Sequence, residues 1–232
     1  MRLKNLDFLL SRVILQGVPG CFLEAGVWRG GVSMYARAVL DLLGEERRDV
    51  FLCDSFEGLP PPSTPTDSDW SKLASLKVSE EEVKKNFEAV QISLERVHFV
   101  KGYFQQSLPV LRDRFRKEGM KLAVLRGDGD MYESYKDILY NLYEFVSVGG
   151  YFICDDCSAQ SGGGDRGALG GAHRAVLEFH SAHGIRSPIV RIHGSDSGVY
   201  WKKGEETEVL YEDYKAWNAT RNQSGMHAPV LR

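Results

Sequence analysis

Across 232 residues no apolar run approaches the roughly 18 that a helix needs to cross a bilayer, so no membrane span is expected. A basic block is also missing, and the net charge is −3. The chain therefore lacks the positive face of a dedicated nucleic-acid binder. There is no internal repeat. Cysteine is sparse: Cys21, Cys53, Cys154 and Cys157 give no disulfide framework, and the first three sit in apolar runs as small core residues. Cys154 and Cys157 form one C-x-x-C, with His173, His180 and His183 downstream. Their spacing is loose and two acids fill the gap, which argues against zinc. The N-terminus lacks the continuous apolar core and small-residue cleavage site of a signal peptide, because Asp7, Ser11 and Arg12 interrupt it. Leu3, Leu6, Leu10, Val13 and Ile14 instead recur at helical spacing, so 1–18 reads as a leading amphipathic helix of a cytoplasmic protein.

What is present is an alternation. Hydrophobic residues make up 43% of the chain and charged residues 26%, enough apolar material for the core of one domain spanning 1–232. "CFLEAG" (21–26), "VFLCDS" (50–55), "VHFVKG" (97–102), "KLAVLRGD" (121–128) and "YFICDD" (151–156) read as strands. Helix-period segments separate them: 33–44, 78–90, 108–119 and 133–146, with 171–184 after the last. Ser79 with Glu82 forms a capping box. "PIVRIHG" and "GVYWKK" follow as a closing antiparallel hairpin. The fold class is α/β: a doubly wound, Rossmann-like, mostly parallel seven-stranded sheet with an antiparallel C-terminal hairpin. Segments 57–77 and 158–171 lack periodicity and leave strand ends, so they read as lid loops. The tail 204–232 is charged and weakly periodic, and no role is assigned to it.

Acids collect where the strands end, which is where open α/β sheets build their sites. "FLEAGVWRGGVS" (22–33) runs from a strand through a Gly-rich turn into a helix start, which offers free N–H groups to a ligand. It is neither a G-x-G-x-x-G nor a Walker loop. Asp54 ends the second strand, where doubly wound folds place an acid on ribose hydroxyls; an Asp capping the next turn is the plainer alternative. Asp128 ends the fourth strand and Asp155 and Asp156 the fifth, so these three should converge on one rim. Clustered carboxylates repel unless a cation neutralises them, and oxygen-only ligands suit Mg²⁺, Ca²⁺ or Mn²⁺. The alternative is separate caps exposed to water. Asp130 lies past the strand end and should only cap the helix beginning near Glu133.

Together "FLEAGVWRGGVSMYARAVL", "VFLCDSFEGLPPP", "VSEEEVKKNF", "VHFVKGYFQQSLP", "LRGDGDMYESYKDILYNLYEFVSVGGYFICDD" and "GVYWKK" resemble the macrocin O-methyltransferase family, in order from about residue 20 to residue 202. "DSFEGLP" and "DGDMYES" are specific to it. The resemblance implies a class I S-adenosylmethionine (SAM) methyltransferase fold, a divalent metal (Mg²⁺ foremost), and methyl transfer to a sugar hydroxyl of a glycosylated natural product. It also implies a homodimer or higher oligomer. Carried over by residue, Glu24 and Gly26 belong to the SAM-binding turn, and Ser33 meets the methionine carboxylate. Asp54 binds ribose, with Ser55 and Phe56 beside the cofactor. Asp128, Asp155 and Asp156 form the metal triad, with Asp128 also bordering the cofactor. Two positions depart from the pattern. Gly127 stands where an apolar residue is usual and should loosen the strand end, and His193 stands where an Asp is expected.

"DGDMYES" contains no Lys to act as base, so Asp128 is expected to serve as ligand and proton acceptor, with His173 and His180 as alternatives. Three rival readings remain. A SAM-binding homologue without catalysis would keep the fold. An NAD-dependent sugar oxidoreductase would want the absent G-x-G-x-x-G and has no use for the acids. A methyltransferase of a catechol-like, lipid or other small acceptor would share the same cofactor site.

Overall fold

The computed structural model describes residues 1–63, 67, 76–157 and 170–223, without the side chains of 222 and 223. Large parts of the two segments read as lids, 64–66, 68–75 and 158–169, lie outside the described residues, as does the tail from 224.

Five parallel strands form the sheet's centre: β1 (Cys21–Ala25), β2 (Val50–Asp54), β3 (Val97–Lys101), β4 (Leu122–Gly127) and β5 (Val146–Cys154). With β6 (Val190–Arg191) and β7 (Val199–Lys202) the order is β3-β2-β1-β4-β5-β7-β6. The chain steps outward from β1 to β3, then returns to the other side of β1 to lay down β4. The carboxyl ends of β1 and β4 are thus the point where the winding reverses. The closing strands are antiparallel as expected, but β7 sits between β5 and β6, and β6 is a short edge piece with both residues exposed.

Side-chain alternation along the strands divides the core in two. Cys21, Leu23, Phe51 and Leu125 face one side, Phe22, Val50, Leu52 and Val124 the other. Helices α1 (Arg2–Leu15), α2 (Gly31–Leu42) and α3 (Glu80–Ala89) cover the second face through Leu6, Leu10, Ala36 and Val83. Helices α4 (Phe104–Glu118), α5 (Tyr132–Leu142) and α6 (Gly170–Ala182) cover the first through Leu108, Ile138 and Phe179. The α1 stripe is Leu6, Leu9, Leu10 and Val13; Leu3 turns to solvent. Ser79 caps α3 by accepting the Glu82 amide, as its sequence signature predicts.

Three boundaries differ from the sequence reading. Helix α4 begins a turn early, at Phe104. Helix α5 stops at Leu142 in a 3-10 turn (Tyr143–Phe145), and β5 already starts at Val146. Gly149 and Gly150, which fall between the helix and strand ranges read from the sequence, lie inside β5: a Cβ on Gly150 would stand 2.6 Å from the Ala123 carbonyl, so only glycine lets β4 and β5 approach there.

The unassigned tail carries a seventh helix, α7 (Tyr211–Gln223). Arg221 pairs with Glu133 at 2.7 Å and Asp137 at 3.1 Å, both buried on α5, and the Tyr214 hydroxyl donates to Asp137 at 2.8 Å. Burial pushes the Asp137 carboxyl up against the pull of Arg221. Removing the cation leaves two buried acids short of a partner, which typically costs about 3–5 kcal/mol. Arg221→Ala is therefore expected to lower stability by about that amount in urea denaturation; a change below about 0.5 kcal/mol would show that α7 is not clasped to α5 in solution.

Candidate active site

Glu24, next to the carboxyl end of β1, is buried, an unusual place for an acid. Its Oε1 accepts from Arg126 of β4 at 2.5 Å, and its Oε2 accepts from the Ser33 hydroxyl in the first turn of α2. The same Arg126 guanidinium reaches Asp128 at 2.9 Å and Asp155 at 2.7 Å. Arg2 of α1 adds a second cation to Asp155 at 2.5 Å and donates to Ser197 at 2.7 Å. Burial pushes the Glu24 carboxyl up to about 7, although Arg126 and Ser33 pull the other way. Three strand ends are thus tied by one buried guanidinium, which the sequence reading did not single out. Its only local signal was an Arg inside an apolar run.

Asp128, Asp155 and Asp156 come together: one carboxylate oxygen from each lies within 4.8 Å of the others. Asp155 Oδ1 is buried and accepts no hydrogen bond. Burial raises the Asp155 and Asp156 carboxyls, and repulsion from neighbouring acids adds to it. An oxygen-only donor set with one orphaned buried oxygen fits a hard divalent cation. Arg126 and Arg2 already offset part of the repulsion that sequence reasoning left to a metal alone.

Gly127 does not loosen the strand end. It pairs in register with Ala25 and Cys154, and the space a side chain would fill is taken by Tyr135 of α5. The Tyr135 hydroxyl lies 2.7 Å from the Gly127 carbonyl and 3.0 Å from Asp156 Oδ2, and burial holds its pKa well above the usual phenol value. Gly26, with φ +96°, closes the other flank. A Cβ there would overlap the Asp128 carbonyl at 1.8 Å, so β1 and β4 can meet only over glycine.

A cavity of about 310 Å³ opens over these ends. Gly26, Asp54, Ser55, Asp128 and Asp156 line it; Glu24, Ser33 and Asp155 stand behind that wall, and Phe56 is buried in the core beside Phe99. The Ser33 hydroxyl expected at the methionine carboxylate is spent on Glu24. Asp54 holds the turn itself: Oδ2 accepts the Val27 amide at 2.7 Å and the Trp28 amide at 3.3 Å, and Oδ1 accepts the Phe56 amide at 2.8 Å. Trp28 and Tyr103, Phe104 and Gln105 also line the cavity without having been singled out. The last three follow β3 directly, the same strand-end signal that marked the acids. His193 is exposed and is not among the residues that line the cavity.

Asp130 does not cap α5. The first-turn amides of Tyr132 and Glu133 donate to Asp67 at 2.8 and 3.1 Å, and Asp130 takes a left-handed backbone (φ +60°) that turns it into the cavity lining. Burial and the neighbouring Asp128 and Asp155 raise its carboxyl to about 7. The histidines withdraw as bases: neither His173 nor His180 lines the cavity, and buried His180 stands edge-on to Trp201 at 4.5 Å with Nε2 unpartnered. The C-x-x-C holds a disulfide, Cys154–Cys157, where unpaired thiols were expected. The turn through Asp155 and Asp156 brings residues three apart within bonding reach, which spacing alone did not reveal.

A Rossmann-like sheet with a Gly-rich turn after β1, an acid ending β2 and the cavity at the winding reversal defines the class: a SAM-dependent O-methyltransferase. The Macrocin-O-methyltransferase (TylF) family profile matches residues 1–203, and the chain belongs to that family. It is 36% identical over 207 residues to an 8-demethyl-8-(2,3-dimethoxy-alpha-L-rhamnosyl)-tetracenomycin-C 4'-O-methyltransferase of Streptomyces olivaceus, covering 87% of this chain and 72% of that protein. It is 37% identical over 208 residues to the demethyldecarbamoylnovobiocin O-methyltransferase of Streptomyces niveus, covering 87% and 73%. The solved structure of the O-methyltransferase NovP superposes with a TM-score of 0.77 at 36% identity, over 88% of this chain and 80% of that one. No helix among the described residues is long and apolar enough to cross a membrane.

Two outcomes follow from these side chains. Burial lowers the His180 pKa to about 4, so the folded state binds this proton less tightly than the unfolded chain. Stability should fall as pH drops through 6.5 and level off below about 4, by up to about 3 kcal/mol. His180→Gln should flatten that part of the urea-midpoint profile; an unchanged slope would show that His180 is already charged when folded. The disulfide closes a very short loop, for which chain entropy gives about 2 kcal/mol. Cys157→Ser should lose about that much, and a reductant should then have no further effect; equal stability of the two proteins without reductant would place no bond there.

Proposed function

We propose that this chain, as one domain over 1–232, is a SAM-dependent, Mg²⁺-dependent O-methyltransferase of a sugar hydroxyl on a glycosylated natural product. The observation that carries the metal is the convergence of Asp128, Asp155 and Asp156 with an orphaned buried oxygen on Asp155. The acceptor class rests on the relatives, which include a rhamnosyl-tetracenomycin and a mycinamicin methyltransferase.

When bound, SAM supplies an activated methyl group and the cation lowers the pKa of a hydroxyl it coordinates. The chain's residues do the rest. Asp54 holds the turn at Val27 and Trp28 through Oδ2, and Oδ1, which accepts the Phe56 amide, keeps a lone pair for a ribose hydroxyl. Glu24, fixed by Arg126 and Ser33, sets the turn and the start of α2 from behind the cavity wall. Asp155 and Asp156 hold the cation. Asp128 is both ligand and proton acceptor in the first reading. One observation favours a second acceptor: Asp130 lines the same cavity and makes no ion pair with a cation among the described residues, whereas Asp128 shares Arg126.

EDTA should abolish methyl transfer and Mg²⁺ restore it; full activity in EDTA would sink the metal assignment. Asp128→Asn should lose both Mn²⁺ affinity and turnover, the latter by about 10²-fold or more. If Asp130→Asn keeps affinity for Mn²⁺ and for S-adenosylhomocysteine (SAH) yet slows turnover by that factor, the acceptor is Asp130 instead.

A further inference from the structure

Tyr135 is fully buried in the first half of α5, yet its hydroxyl meets more polar partners than a core tyrosine needs. It lies 2.7 Å from the Gly127 carbonyl and 3.0 Å from Asp156 Oδ2. The Asp155 and Asp156 amides donate to it at 3.2 and 3.4 Å. One oxygen therefore touches the end of β4, the backbone of the turn after β5, and one carboxylate of the acid cluster.

A phenol has one proton to give. The Gly127 carbonyl already accepts the Asp155 amide at 3.0 Å, so it does not depend on that proton. An ionised Asp156 is the stronger acceptor, since charge roughly doubles the strength of a hydrogen bond. The Asp130 amide donates to the same Oδ2 at 3.0 Å. With Oδ2 held from two sides, the carboxylate has little freedom to rotate, and Oδ1 is the oxygen left for a ligand.

Gly127 is the condition for this arrangement. A Cβ at position 127 would stand 3.2 Å from the Tyr135 ring, 3.4 Å from Phe152 and 3.5 Å from Ile138. A Cβ there would make the ring give by a few tenths of an ångström and shift the hydroxyl with it, and a longer side chain would displace it further. Glycine in this strand makes room for a side chain arriving from α5.

We propose that Tyr135 is a positioning residue whose hydroxyl orients Asp156 for a divalent cation, in space that Gly127 leaves open. The proposal rests on the metal reading given under Proposed function. Partners that orient a metal ligand from behind typically govern about 10–100-fold of metal affinity.

Mn²⁺ binding, followed by electron paramagnetic resonance on the full chain, tests this without any turnover. SAH affinity, measured in parallel, reports the neighbouring cofactor site. Tyr135→Phe keeps the ring and removes only the hydroxyl. It should weaken Mn²⁺ by about 10–100-fold while leaving SAH affinity within about twofold, and excess metal should restore turnover. Gly127→Ala keeps the hydroxyl and displaces the ring, so it should weaken Mn²⁺ by a smaller factor, and it serves if the first variant fails to fold. Mn²⁺ affinity unchanged in either folded variant overturns the role of Tyr135 alone. Failure of the unaltered protein to bind Mn²⁺ overturns the metal reading, and the inference with it.

Discussion

The site depends on one buried guanidinium. Arg126 sits in the sheet between three carboxylates that belong to three different segments: Glu24 of β1, Asp128 after β4 and Asp155 after β5. An isolated buried charge costs several kcal/mol, and an arginine cannot escape by losing its proton. It is stable here only because the acids surround it, and the acids can converge only because it lies among them. Arg126 also reaches both sides of the site at once, since Glu24 bears on the Gly-rich turn and Asp155 on the acid triad. Arg2 repeats the device from α1, tying the leading helix to Asp155 and to Ser197 just before β7.

Arginine nevertheless leaves the cluster short of positive charge. Glu24 and Asp130 rise to about 7, and Asp155 and Asp156 rise as well. Burial therefore favours the protonated forms of these acids. A divalent cation seated on the triad would displace those protons, so metal uptake and proton release are linked. Burial, the first cause of every one of these shifts, is what makes the rim tunable.

The fold and half of the site were legible because their signals are local. An acid ending an apolar run marks a strand end whatever surrounds it, so Asp54, Asp128, Asp155 and Asp156 could be read one segment at a time. What stayed hidden depends on contacts between segments. Gly127 looked like a defect because the ring that fills its space comes from a helix eight residues later. Asp130 looked like a cap because nothing local shows that Asp67, more than sixty residues away, already holds those amides. Phe56 and Ser33 were placed at the cofactor by resemblance, while packing directs one side chain to the core and the other to Glu24. Helix α7 has too few apolar residues to show a period, and it is held by Arg221 and Tyr214 on buried acids of α5.

That last helix separates two tasks. The family match ends at residue 203, whereas α7 begins at Tyr211. Asp54, Asp128, Asp155 and Asp156 all lie within the matched region, at strand ends whose spacing is fixed by backbone hydrogen bonds. Arg221, from outside it, lines the same cavity together with Asp137. Strand ends cannot drift without breaking the sheet, but a helix clasped to α5 by a few side chains can change its face without disturbing β1 or β4. The cavity thus combines a floor of strand ends fixed by the sheet with a wall that α5 and α7 supply through side chains, among them Asp137 and Arg221.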